Sequence, residues 1–266
     1  MSNPLISKII KASGVSLANV YADSEIINSL DEFAKTDIPM LNVALSGKWD
    51  GGLTPGITIL AGPSKMGKTF IGLILVKAYL DRYEDAVCVF ADLEFGAGKA
   101  YFENLKIDTN RVIHMPVKNV EEAKFALTGI YDNLTRGEHV ITFFDSIGNL
   151  ASKKEMEDAI DGKSVQDMSR AKQIKSFFRI ITPYINLLNV PFIGINHTYQ
   201  TTDFIPTQVM ASGQGPLLSA NTVLFLSKSK DKNGTSLIGF DFKLKAEKSR
   251  FIKEGSVFDM NVSFDE

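Results

Sequence analysis

Gly62-Pro63-Ser64-Lys65-Met66-Gly67-Lys68-Thr69 fits the pattern G-x-x-x-x-G-K-[ST], and it stands between the apolar run Ile57-Thr58-Ile59-Leu60-Ala61 and a helix-period segment from about Lys68 to Arg82. A strand, a glycine-rich turn and a helix in that order make a polyphosphate cradle. The glycines let successive backbone N–H groups turn toward one point, and the positive end of the helix faces the same point. Lys68 supplies a mobile cation for the β- and γ-phosphates of ATP and Thr69 a hydroxyl for Mg²⁺, while Gly62, Pro63, Ser64, Lys65, Met66, Gly67 and Phe70 complete the candidate nucleotide-binding set.

Strand-like and helix-period segments alternate outward from this loop. Ala86 to Asp92 reads as a strand, Lys99 to Leu105 as a short helix, Arg111 to Val117 as a strand, Val120 to Arg136 as a helix and His139 to Asp145 as a strand. A polar stretch, Ser152 to Asp167, precedes a helical pattern from about Met168 to Leu188, in which Pro183 is expected to kink or interrupt the helix. Val190 to Asn196 resumes the sheet. A second polar stretch, Thr198 to Gly215, leads to strands at Asn221 to Ser227 and Gly239 to Ala246, joined by a hairpin signal at Asn233-Gly234, and Val257 to Phe264 supplies a last strand. The alternation predicts an α/β fold with a mainly parallel twisted sheet, helices on both faces and antiparallel strands at the C-terminal end. Residues 1–35 read as a small helical N-terminal extension used in oligomerisation, and residues 36–266 as one core.

Composition narrows the function classes. The 266 residues are 44% hydrophobic and 23% charged, which suits a globular chain long enough to bury its own core. One cysteine, Cys88, excludes an intramolecular disulfide framework and any multi-cysteine metal site. A net charge of −2 argues against a uniformly basic nucleic-acid binder, so any DNA-binding charge must be local or created by assembly. The longest apolar candidate, Phe70 to Val76, is closed by Lys77, far short of the ~18 residues of a membrane span. Lys8 and Lys11 fall where a secretory signal needs an apolar core, and the cytoplasm is the expected compartment.

Acidic residues end the strands beside the glycine-rich loop. Asp145 closes Val140-Ile141-Thr142-Phe143-Phe144 and is placed to hold magnesium, with a helix cap as its ordinary alternative. Glu94 lies just past the strand that ends at Asp92, where a carboxylate facing the γ-phosphate deprotonates an attacking water; Asp92 is the rival, and spacing alone does not choose. His114 and His139 show no ligand spacing and read as structural.

The order of motifs is more specific than any one of them. Ile38-Pro39-Met40-Leu41-Asn42, Leu45-Ser46-Gly47, Gly51-Gly52-Leu53 and Pro55-Gly56 precede the loop; Asp92-Leu93-Glu94 and Phe143-Phe144-Asp145-Ser146 follow it. In this order the chain resembles the RecA-type recombinases. In the runs beginning at Ala61, Asp145, Phe178 and Ile195 it is similar to the UvsX recombinases of tailed bacteriophages, over about Thr36 to Asp265.

The resemblance implies a RecA-like P-loop ATPase core in a homo-oligomeric helical filament on single-stranded DNA, with ATP held between neighbours and homologous duplex DNA as the second substrate. A recombination mediator and a single-strand-binding protein are the implied partners. By position Lys68, Thr69 and Asp145 take the phosphate and metal roles, and Glu94 rather than Asp92 activates water. Tyr101 falls where the family stacks an aromatic on adenine, and Lys248 and Arg250 match a basic pair that reaches the neighbour's γ-phosphate. His197 stands where most of the family has a phosphate-sensing glutamine, and Gly98 where the bacterial members have an adenine-contacting acid. UvsX relatives continue into a C-terminal domain that is expected to be absent here.

The long polar stretches are the candidate DNA elements. Thr201, Thr202, Phe204, Gly213, Gln214 and Gly215 offer hydroxyls, glycine N–H groups and one aromatic to a single strand. Residues 152–167, followed by Arg170 and Lys172, make the first DNA loop by resemblance; read alone, their acidic residues make a solvated loop with no DNA contact. Likewise, Lys243, Lys245, Lys248, Arg250 and Lys253 taken alone make a solvated edge-strand face. A RecA-fold translocase or helicase, or an ATP-binding assembly switch, shares the loop, Glu94 and Asp145, and is the alternative reading.

Overall fold

The computed structural model of the chain describes residues 3–29, 32–163, 169–202, 204 and 206–264. In chain order the elements are α1 (Pro4–Ser13), α2 (Glu25–Asn28), α3 (Pro39–Ser46), β1 (Gly56–Gly62), α4 (Lys68–Arg82), β2 (Val87–Asp92), α5 (Lys99–Asn104), β3 (Val112–Pro116), α6 (Val120–Asp132), β4 (Val140–Asp145), α7 (Lys153–Ile160), α8 (Ser169–Leu188), β5 (Pro191–Gln200), β6 (Gln208–Met210), α9 (Gln214–Ser219), β7 (Thr222–Asn233), β8 (Ser236–Ser249) and β9 (Val257–Ser263).

The strands form one sheet in the order β3-β2-β4-β5-β1-β7-β8-β9, with β6 added beside the far end of β5. Pairing is parallel from β3 to β7 and antiparallel from β7 to β9. Central strands buried on both faces carry continuous apolar runs, and β1 is buried at every residue. Two apolar layers result. On one face α4 packs Ile71, Leu75 and Tyr79 with Leu60, Phe143 and Ile195; on the other, α6 and α8 pack Leu127, Phe177 and Phe178 with Ile59, Phe144 and Phe192. Each such large side chain contributes about 1.5–3 kcal/mol when fully buried. The second layer lies directly under β4 and β5, so it also fixes the strands whose ends carry Asp145 and His197.

Three expectations are corrected. Residues 152–167 do not read through as an irregular loop: α7 forms because Ser152 accepts from Glu155 N at 3.0 Å and Lys154 pairs with Asp158 at 2.7 Å along one helix face. Residues 164–168 of that stretch lie outside the described residues. Pro183 does not interrupt α8, which runs unbroken because its buried face, from Ile174 to Leu188, offsets the lost backbone bond. Thr198 to Gly215 is also not one loop: β5 continues to Gln200 and pairs antiparallel with β6, and α9 begins at Gln214.

Before the core, α1 buries none of its residues, and Ala34 pairs with Leu53 through two backbone bonds of 2.8 and 2.9 Å. No helix among the described residues is long and apolar enough to cross a membrane.

Candidate nucleotide and DNA sites

Parallel pairing brings the carboxyl ends of the strands to one edge of the sheet, where open α/β folds bind ligands. Register makes this specific. Gly62 at the end of β1 pairs with His197 on β5, and Asp92 at the end of β2 pairs with Asp145 at the end of β4. A cleft of about 600 Å³ opens over that edge, lined among others by Lys68, Glu94, Tyr101, His197, Lys228 and Phe240. Its size suits a nucleotide.

The glycine-rich turn takes left-handed backbone at Lys65 (φ +65°) and Gly67 (φ +80°). A Cβ on Gly67 would stand 2.5 Å from Phe242 Cε1, so a side chain is excluded there by space as well as by conformation. No side chain caps the start of α4, which leaves its first N–H groups for an anion. Lys68 is buried, and its Nζ donates to the Pro63 carbonyl at 2.7 Å. Burial lowers its pKa, against the charges of Asp145 and Glu94.

Thr69 Oγ1 donates to Asp145 Oδ2 at 2.6 Å, while Asp145 Oδ1 is buried with no hydrogen-bond partner among the described residues. Desolvation pushes the Asp145 carboxyl up to about 6, with Glu94 and Asp92 adding to the rise. A buried, unpaired carboxylate oxygen beside a hydroxyl fits a magnesium site, in which Thr69 and Asp145 would be the residues that hold the ion. No cluster of three or more His, Cys, Asp or Glu suited to a metal occurs among the described residues.

The two rival carboxylates are separated by their partners. Asp92 is 3% exposed; its Oδ1 accepts from Glu94 N at 3.1 Å and Phe95 N at 2.8 Å, and its Oδ2 lies 3.1 Å from His114 Nε2. It is committed to shaping the turn that presents Glu94. Glu94 faces the cleft, with Oε1 2.8 Å from His197 Nε2 and 2.9 Å from Asn149 Nδ2. Desolvation raises its pKa, but the neighbouring Ser146 hydroxyl, His197 and Lys68 outweigh this and hold the carboxyl below its ordinary value. His139, in contrast, pairs with Asp85 at 2.8 Å away from the cleft.

Some cleft residues are not legible in the motifs. Lys228 on β7 stands 4.1 Å over the Phe240 ring, and Phe240, Phe242 and Val262 form a wall reaching the cleft from the antiparallel strands. Asn149 follows β4 by four residues and meets Glu94 only through the fold. Tyr101, half-buried, lines the same cleft.

The remaining candidates are dispersed. Lys248 and Arg250 do not line the cleft of their own chain; Lys248 Nζ donates to the Leu217 and Leu218 carbonyls at 2.8 and 3.0 Å, and Arg250 is exposed. Phe204 is fully exposed in the turn between β5 and β6, whose base is closed by a Thr201 N to Thr207 carbonyl bond of 2.9 Å. Thr202, Gly213, Gln214 and Lys172 are exposed. Gly215 is buried, and a Cβ there would lie 3.1 Å from Lys175 Cα, so this glycine serves the approach of α9 to α8 rather than a surface grip. Arg170 is half-buried and bonded to three backbone carbonyls.

No family model matches the chain. It is 48% identical over 261 residues to the recombination and repair protein of Enterobacteria phage T4, an alignment covering 98% of this chain and 66% of that protein. The chain belongs to the RecA-type recombinase family. This family member is also 24% identical over 234 residues to a RecA protein of Cutibacterium acnes, across 80% of its own length and 65% of the other. It thus spans just under two thirds of these curated relatives. The crystal structure of the RadB recombinase superposes with a TM-score of 0.57 at 17% identity, covering 80% of this chain and 90% of that one, a likeness of fold.

Proposed function

We propose that this chain is an ATP-dependent DNA recombinase, which assembles as a helical filament on single-stranded DNA and exchanges that strand with homologous duplex. The observation that carries the reading is the convergence of Lys68, Thr69, Asp145 and Glu94 at one strand edge, with the Phe204 hairpin continuing from the same strand as His197. Lys68 and the α4 N-terminus bind the β- and γ-phosphates, and Thr69 and Asp145 hold magnesium. Bound magnesium supplies neutralisation of the charge that develops on the phosphate oxygens.

Glu94 accepts the proton of the attacking water, oriented by His197 and Asn149. Tyr101 stacks on the base. Lys248 and Arg250, turned away from their own cleft, complete that of the next subunit, which makes hydrolysis depend on assembly. Thr201, Thr202, Phe204, Gly213, Gln214 and Lys172 form the single-strand contacts. The setting is the cytoplasm of a bacterial host, with a recombination mediator and a single-strand-binding protein as accessory partners.

The test is ATP hydrolysis with and without single-stranded DNA across protein concentration and salt. DNA stimulation that rises steeply with concentration and falls with salt supports the filament. Hydrolysis by a monomer that ignores DNA sinks it, and closed rings in micrographs point to a translocase instead.

A further inference from the structure

Arg170, at the start of α8, carries a guanidinium with five N–H donors. Nε donates to the Leu150 carbonyl at 2.6 Å and one Nη to the Gly148 carbonyl at 2.5 Å, the two peptide oxygens on either side of Asn149. The other Nη reaches the Ala211 carbonyl at 3.4 Å, and Ala211 N in turn donates to the His197 carbonyl at 2.8 Å. The turn that Arg170 grips is packed against β5 directly, since a Cβ on Gly148 would stand 3.0 Å from His197 N. Asn149 and His197 are the two side chains that meet on Glu94 Oε1.

We propose that Arg170 is a positioning residue for Glu94, pinning the turn that carries Asn149 to the strand end that carries His197 and so fixing the two side chains that meet on Oε1. This rests on the reading of Glu94 as the base. A phosphate contact is the competing use of a cation here, but reaching a phosphate would require a half-buried guanidinium to release three carbonyls. Charge-assisted bonds to carbonyls flanking a single residue restrain that residue in position and rotation, which a surface cation does not do.

The experiment compares Arg170→Ala, Arg170→Lys and Glu94→Gln in the full chain, measuring kcat, KM for ATP and the salt dependence of single-stranded DNA binding. Arg170→Ala is expected to lower kcat roughly 10- to 100-fold, the scale of a misplaced catalytic group, with KM for ATP and DNA affinity within about twofold. Arg170→Lys, which keeps the charge but cannot fork between two carbonyls, is expected to recover only part of the rate, and it serves alone if the alanine variant does not fold. Unchanged kcat with weaker DNA binding and a salt slope smaller by about one assigns Arg170 to phosphate and overturns the proposal. If Glu94→Gln itself keeps full turnover, the base reading fails and takes this proposal with it; if Glu94→Gln is inactive while both Arg170 variants turn over normally, only the role of Arg170 fails.

Discussion

His197 Nε2 and Asn149 Nδ2 converge on one oxygen of Glu94, Oε1, at 2.8 and 2.9 Å. Glu94 itself lines the cleft. Changing Glu94 to Gln keeps the shape and an acceptor for both neighbours but removes the basicity. Steady-state hydrolysis is expected to fall about 10²- to 10⁴-fold while affinity for a fluorescent ATP analogue is retained; parallel loss of both would refute a role confined to the base.

Asp145 makes the cleft sensitive to acid. Its carboxyl, pushed up to about 6 by burial, must be ionised to hold magnesium, so kcat/KM is expected to decline as pH falls through 6. In the enzyme with Mg-ATP bound, the cation favours the carboxylate, and the acid limb of kcat should lie lower. Coincident limbs in the two profiles would contradict this.

The same burial has a stability consequence. An Asp with a raised native pKa penalises the folded state fully above about 6, progressively less as pH falls, and not at all below the unfolded value of 3.8. Asp145→Asn is therefore expected to stabilise the ligand-free protein by roughly 1–3 kcal/mol near pH 7.5, the gain vanishing toward pH 4. Denaturant titrations at the two pH values measure it.

Lys248 provides a test of chemistry shared between subunits. Alone, Lys248→Ala and Glu94→Gln variants should each be inactive on DNA. Mixed, they should recover part of the activity, because some junctions then join an intact Glu94 to an intact Lys248. Failure of the mixture, with assembly intact by light scattering, would place Lys248 in structure only, capping the Leu217 and Leu218 carbonyls.

Phe204 has no folded-state contact to lose, being fully exposed. Phe204→Ala is expected to weaken single-stranded DNA binding by about 1–3 kcal/mol through lost base stacking, with an unchanged melting temperature. Fluorescence anisotropy with labelled oligonucleotide checks the first part and a thermal melt the second.

Local chemistry explains what was readable beforehand. Gly62 to Thr69 is a contiguous turn between a strand and a helix, and Asp145 follows an apolar run, so adjacency in the chain points to them; spacing alone leaves Glu94 and Asp92 as rivals, and the partners that separate the two exist only in the fold. Lys228 and Phe240 line the cleft, and Asn149 meets Glu94 behind it, through strand order and register, which no local pattern encodes. The polar composition of α7 hides the capping arrangement at Ser152 and Glu155 that starts it. In the sequence Arg170 reads as part of a DNA loop because its partners are backbone carbonyls, which leave no side-chain signal.

Strand β5 begins among fully buried residues at Pro191 and leaves the sheet only after His197, ending in the hairpin that carries Phe204. From Pro191 to Gln200 it runs without a break over ten residues, about 30 Å at about 3.3 Å per residue. A tilt of roughly 5° about the buried end would sweep the far end through roughly 2.6 Å over that length, most of the roughly 3.4 Å rise between stacked bases. On the proposed reading, a lever of this kind carries a small displacement beside His197 into a larger one at the Phe204 hairpin.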